Sequence, residues 1–257
     1  ALLAGGATLL LTGVVNLIAI PVRREMNLAV SVTGLLAAVA AMLSTVLTPQ
    51  AAAGCTAAVL LLVSPWLPRI ATYEAGMPVP SVPRPSAEVP IDEPFPPPKQ
   101  IAALVRRSDS VLTGLLGAMC GTLLGATVVL ADRRDLAARL FAGAIVLVCA
   151  LRARAYAAVR HRVPLLGAAA FGAAALAAQI WLDTDLADRV RAVAPATALA
   201  LLGAVCAVAA GRTYAKRQAS PQLGRIGDIS EFILIVLSAI LAASVSGLFG
   251  YVRGLGG

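Results

Sequence analysis

The sequence predicts an all-α fold, a polytopic transmembrane helical bundle of about eight spans with a proline-rich cytoplasmic loop. Three observations carry this. Apolar runs about 20 residues long recur along the chain, the length a helix rising 1.5 Å per residue needs to cross a hydrocarbon core about 30 Å thick. Of the 257 residues, 59% are hydrophobic and 13% charged, with a mean hydropathy of +0.86, whereas soluble domains carry about 25% charged residues. Alternation with a period of two is absent and the connections are short, which argues for helices and against a membrane barrel.

Taken in order, the expected spans are Ala1–Ile20, Leu28–Leu47, Ala51–Trp66, Val111–Ala131, Leu136–Leu151, Val163–Leu182, Val193–Gly211 and Ile229–Val252. The third and fifth are short for a bilayer, so they are expected to tilt little or to extend a turn beyond the apolar run. The chain thus divides into three helices over 1–66, a tether over 67–110 and five helices over 111–257.

Orientation follows from basic residues, which are retained on the cytoplasmic side. Eight spans put both ends of the chain on one face. The loops on the tether side hold 15 of the 21 Lys and Arg, and the opposite side holds 6. The tether is therefore expected in the cytoplasm and the C-terminus in the periplasm, in a multi-pass protein of the cytoplasmic (inner) membrane. Ala1 opens in apolar sequence with no initiator Met and no basic flank, which reads as a continuation; a cytoplasmic native N-terminus requires an odd number of spans upstream. The net charge of +8 has the same explanation. Positive-inside loops and anionic headgroups account for it, and no nucleic-acid motif with interleaved aromatics accompanies it.

Candidates for chemistry are few. Cys55, Cys120, Cys149 and Cys206 fall inside spans without a C-x-x-C pair and read as small buried apolar residues. His161, the only histidine, sits between Arg160 and Arg162 at a span edge and reads as a solvated interface residue. None of the 13 acidic residues is central to a span, where an ion-coupled transporter would need one. Asp228 and Glu231 have the spacing of a helix N-cap with Glu three positions on, so capping is the expected role of both. Asn16 and Gln179 read as interhelical hydrogen-bonding groups. No catalytic, cofactor or metal residue is expected, and no G-x-x-x-x-G-K-[ST] run occurs to bind a nucleotide.

The spans do carry packing chemistry. Gly117 and Gly121, then Gly121 and Gly125, form overlapping small-xxx-small motifs preceded by Gly114, a face along which backbones can approach and gain dispersion contacts. Leu165–Ala178 offers a second smooth surface. In the tether, prolines after Ser64 end a span with Trp66 at headgroup depth. Pro78, Pro80, Pro83, Pro85, Pro90, Pro94 and Pro96–Pro98 favour an extended polyproline strap. Gln100–Ser110 reads as a short amphipathic helix with Ile101, Leu104 and Val105 on one face and Arg106 and Arg107 at its end. Pro78, Pro80, Pro83, Pro94, Arg106 and Arg107 are the candidate docking residues of this tether.

The order SPWLPRIATYEAGMPVPSVP, a proline-rich stretch, RRSDSVLTGLLGA and LRARAYAAVRHRVPLLGA resembles the EccD family of the mycobacterial ESX, or type VII, secretion systems, from about Ser64 to the C-terminus. The resemblance implies a cytoplasmic ubiquitin-like domain followed by eleven transmembrane helices, of which this chain would hold the last eight. It further implies a non-enzymatic scaffold for protein export, paired with a second copy of itself around a lipid-filled space. Its implied partners are EccB-, EccC- and EccE-like subunits, the EccC-like one being the FtsK-like ATPase, together with membrane lipids and no nucleic acid. The main rival is a secondary transporter or channel for a small solute, which the number of spans favours and the missing mid-membrane ionisable groups and internal repeats oppose. A membrane-embedded enzyme lacks a Ser/His, Asp/Asp or metal constellation.

Overall fold

The computed structural model describes residues 24–77, 97–132, 135–183 and 221–248. Among these residues every regular element is helical: α1 (Arg24–Leu43), α2 (Pro49–Val63), α3 (Leu67–Glu74), α4 (Pro98–Ala131), α5 (Leu136–Arg152), α6 (Val159–Asp183) and α7 (Pro221–Val245). The expected spans Ala1–Ile20 and Val193–Gly211 lie outside the described residues. Five segments are long and apolar enough to cross a membrane, namely Pro49–Glu74, Lys99–Ala131, Leu136–Ala155, Val159–Asp183 and Gly224–Val245, and Asn27–Leu43 is a shorter apolar helix.

Proline sets several of the starts. Thr48 is extended (ψ 151°) and its Oγ1 accepts from the Ala51 N–H, with Pro49 in the first helical position of α2, where the missing N–H would have had no partner in any case. The prolines after Ser64 do not end this rod as expected. Ser64–Trp66 form one 3-10 turn and α3 begins directly at Leu67 with Pro68 in its first turn, so each ring falls where a new turn starts. Helical structure then continues to Glu74. Gly76 closes α3 at φ +69°, its N–H donating to the Tyr73 carbonyl and that of Met77 to Thr72. These are the 5→2 and 6→1 bonds of a Schellman cap, which needs a residue tolerant of positive φ.

The separate amphipathic helix expected over 100–110 is instead the beginning of α4. Pro97 is extended (φ −58°, ψ 144°), Pro98 opens the helix, and 34 residues follow without a break, a length of about 51 Å. That exceeds the hydrocarbon thickness, so α4 projects beyond the bundle. From Lys99 to Arg107 every residue but Leu104 is exposed.

The core lies where α2, α4 and α5 meet. Phe141, Ile145 and Val148 of α5, Leu116, Leu123 and Leu130 of α4 and Leu61 of α2 are all at most 1% exposed. The Phe141 ring presses on α2 at Gly54, where a Cβ would come within 3.2 Å of Cε1. Helix α6 packs on α4 and α5, and α7 on α2 and α5. Gly172 permits the first of these, since a Cβ there would meet Val146 Cγ2 at 3.0 Å and Thr127 Cγ2 at 3.5 Å. Buried hydroxyls in the core bond to their own helix, Thr56 to the Ala52 carbonyl and Thr127 to that of Leu123, both at 2.8 Å, which removes the cost of an unpaired polar group.

Candidate functional site

The ionisable groups of the described residues gather at the ends of the bundle. At the end where the chain leaves at Met77 and returns at Pro97, α2, α4, α5, α6 and α7 are tied together by charge. Arg152, the last residue of α5, is 7% exposed. Its Nε donates to Glu231 Oε1 of α7 at 2.7 Å, NH2 lies 2.6 Å from the same oxygen, and NH1 donates to Ser64 Oγ. Ser64 itself donates to the Leu61 carbonyl at 2.6 Å. Three helices thus share one guanidinium, whose planar fork suits several acceptors at once.

Beside this centre, Arg154 donates to Asp228 Oδ1 at 2.7 Å and to the Gly224 carbonyl at 3.1 Å. The guanidinium occupies the space a side chain at position 227 would take, so the close approach requires Gly227. On α4, Asp109 pairs with Arg160 and stands 3.0 Å from His161 Nε2. His161 is 5% exposed, and Tyr156 meets its ring edge-on at 5.6 Å between centroids. At the opposite end, Arg139 of α5 pairs with Asp183 of α6.

Two sequence expectations are overturned here. Asp228 and Glu231 do not cap a helix start, because α7 begins earlier, at Pro221; their carboxylates instead neutralise Arg154 and Arg152. His161 is not solvated but buried against Asp109 and Tyr156. Neither contact has a local signature, since Arg152 and Glu231 are 79 residues apart. The detectable signal was the run Arg152, Arg154, Arg160, Arg162, denser than a span boundary needs.

The expected packing glycines all lie on α4. A Cβ on Gly117 would meet Ala29 Cβ of α1 at 3.1 Å, and one on Gly121 would meet Thr33 Cγ2 and Oγ1 at 3.4 Å. Thr33 Oγ1 is 2.7 Å from the Ala29 carbonyl and 3.4 Å from that of Ala118. Gly114 is buried, and Gly125 has open space around it. Arg106 and Arg107 are exposed on the projecting part of α4, while Pro78, Pro80, Pro83 and Pro94 lie outside the described residues. Cys120 and Cys149 are buried, Cys55 is half-buried, and all three are free thiols; Cys206 lies outside the described residues. Among the described residues no group of three or more His, Cys, Asp or Glu could hold a metal ion.

The arrangement can fasten helices to one another at a fixed height, and it presents cations to whatever lies beyond. Comparison with known proteins gives a consistent picture. The solved structure described as protomer 1 of the ESX-3 core complex superposes with a TM-score of 0.72 at 20% identity, covering 97% of this chain and 57% of that one. At that identity the likeness establishes the fold, and the chain spans little more than half the length of the chain it matches. No curated protein sequence matches. Residues 1–255 match the family model described as the EccD-like transmembrane domain, so the chain belongs to the EccD family as its multi-pass transmembrane portion.

Proposed function

We propose that this chain is the membrane portion of a non-enzymatic scaffold subunit of an ESX, or type VII, protein secretion complex. The observation that carries the reading is the fold it shares, over 97% of its length, with a protomer of the ESX-3 core complex. Family membership over residues 1–255 supports it independently. In this reading the work is mechanical. Charge pairs at the Arg152 end hold α2, α5 and α7 at one height, and Asp109 holds α4 to α6, so the chain leaves at Met77 and returns at Pro97 from fixed positions.

The segment from 67 to 110 would then be a cytoplasmic tether rooted on a rigid base, with the C-terminus in the periplasm. Its prolines and the exposed Arg106 and Arg107 would dock cytoplasmic parts of EccB-, EccC- and EccE-like subunits, including the FtsK-like ATPase, and a second copy of the chain would pack against the apolar outer faces. Gly117 and Gly121 would serve as the contact between α1 and α4. A transporter would need ionisable groups that bind and release an ion at mid-membrane, whereas the ion pairs described here all lie towards the helix ends.

The test is to tag the full-length protein, extract it in mild detergent and determine the mass and composition of what co-purifies. A large assembly containing an FtsK-like ATPase supports the scaffold. A stable small homo-oligomer without such a partner, accompanied by solute uptake in liposomes, would replace it with the transporter reading.

A further inference from the structure

We infer that the outward face of α2 and α3, together with the start of α7, binds the anionic headgroup of a phospholipid in the leaflet at the Arg152 end. The inference rests on the transmembrane placement of α2 and α7 and is independent of the scaffold role.

The first observation is a stripe of exposed apolar and aromatic side chains among the described residues. Val59 (59% exposed), Leu62 (51%), Trp66 (61%), Ile70 (39%) and Tyr73 (84%) recur every three or four residues and so share one face of the α2–α3 rod. Leu61, Ser64, Leu67 and Ala71, between them in sequence, are buried on the other face. Along the stripe the chemistry grades from the aliphatic Val59 and Leu62 to the indole of Trp66, then the exposed Arg69 beside Ile70, then the phenol of Tyr73. That is the order in which a helix meets hydrocarbon, interface and headgroup.

The second observation sets a second cation at the same depth. Ser64 and Glu231 both meet Arg152, which places α2 and α7 in register at that level. Arg69 lies five residues beyond Ser64 and Arg225 six before Glu231, so both stand about 8–9 Å further out by helical rise. Helix α7 is packed on α2 and repeats the gradient, with exposed Arg225 above exposed Ile229, Phe232, Ile233 and Val236.

The third is charge. Asp228 is engaged by Arg154, Glu231 by Arg152 and Asp109 by Arg160. Among the described residues Arg69 and Arg225 have no ion pair, and Glu74 on α3 forms none. Two unneutralised guanidiniums at one depth outnumber the single unpaired carboxylate of Glu74, and this net positive charge above apolar faces suits a phosphodiester above acyl chains. The guanidinium fork takes phosphate oxygens in pairs, and the Trp66 N–H and Tyr73 hydroxyl add donors.

The experiment offers the purified full-length protein equal amounts of phosphatidylglycerol and phosphatidylcholine and reads the bound lipid by native mass spectrometry. The wild type should retain phosphatidylglycerol preferentially. The R69Q/R225Q double variant should reduce that preference by about fivefold or more, as one or two surface cations do, whereas R69K/R225K should keep most of it and Lys99→Gln, an exposed cation on another helix, should change nothing. Added inorganic phosphate should not displace the lipid. Equal preference in the wild type and R69Q/R225Q, displacement by free phosphate, or no lipid preference in the wild type would each overturn the inference, the last assigning this face to an acidic protein partner.

Discussion

Arg152 at the end of α5 and Glu231 within α7 form an ion pair, 7% and 9% exposed, with the guanidinium at 2.6 and 2.7 Å from one carboxylate oxygen. Their burial gives the pair its leverage. An isolated charge at this depth would be costly, and each member exists there because the other does.

Removing one partner should therefore cost much more than removing both. Arg152→Met alone should destabilise the bundle by about 3–5 kcal/mol, and R152M/E231M should recover most of that loss, since an apolar pair carries no desolvation penalty. Thermal unfolding of the detergent-extracted protein checks this, and equal losses in the single and double variants would show that the pair contributes no coupling.

At the α1–α4 contact a Cβ on Gly117 would be crowded at 3.1 Å from Ala29, and one on Gly121 would already touch Thr33 at 3.4 Å, so a longer side chain at either position meets α1. Gly117→Leu and Gly121→Leu should each destabilise by about 1–3 kcal/mol through overpacking against Ala29 and Thr33. Gly125→Leu, on the same helix but in open space, should be near neutral. Unchanged melting of the Gly121 variant would remove the packing role.

Gly172 meets Val146 and Thr127 in the same manner. Gly172→Val should force α6 away from α5 and weaken a cysteine crosslink engineered between Gly143 and Leu176, which face each other at 4.0 Å in the same test of a Cβ at Gly143. An unaltered crosslinking yield would mean that α6 reaches α5 without that glycine.

Asp109 should matter less than Glu231. It serves Arg160, whose side chain is 57% exposed, and the buried His161. A partly solvated pair contributes about 0–1 kcal/mol, so Asp109→Asn should shift unfolding only slightly. A loss as large as that of Arg152→Met would place the main fastening on α4.

The helices were legible because a bilayer-length apolar run is a strong local signal. Leu136–Leu151 was expected and α5 covers Leu136–Arg152. Boundaries set by proline were misjudged in one direction. Pro65, Pro68 and Pro98 were read as breaks or spacers, yet each sits at the start of a turn, where proline's fixed φ assists a helix, so helical structure reaches Glu74 and α4 starts at Pro98. Spacing singles out the glycines of α4 as a group; that Gly121 meets Thr33 while Gly125 meets nothing depends on how α1 crosses, which spacing does not encode. The density of arginines around Arg152 is visible in the sequence, but their partners are not, because a pairing across 79 residues requires knowing which helix ends meet. Reading Asp228 and Glu231 as a cap was the natural local explanation of the same two carboxylates.

The central claim is that the chain scaffolds an assembly through a tether held on a rigid base. The most direct test compares, in the full-length protein, the wild type with a variant shortened across residues 78–96, measuring membrane insertion and the mass of the extracted complex side by side. The account predicts equal insertion, a large ATPase-containing complex for the wild type and its loss in the shortened variant. An intact complex after shortening, or loss of insertion and assembly together, would contradict it.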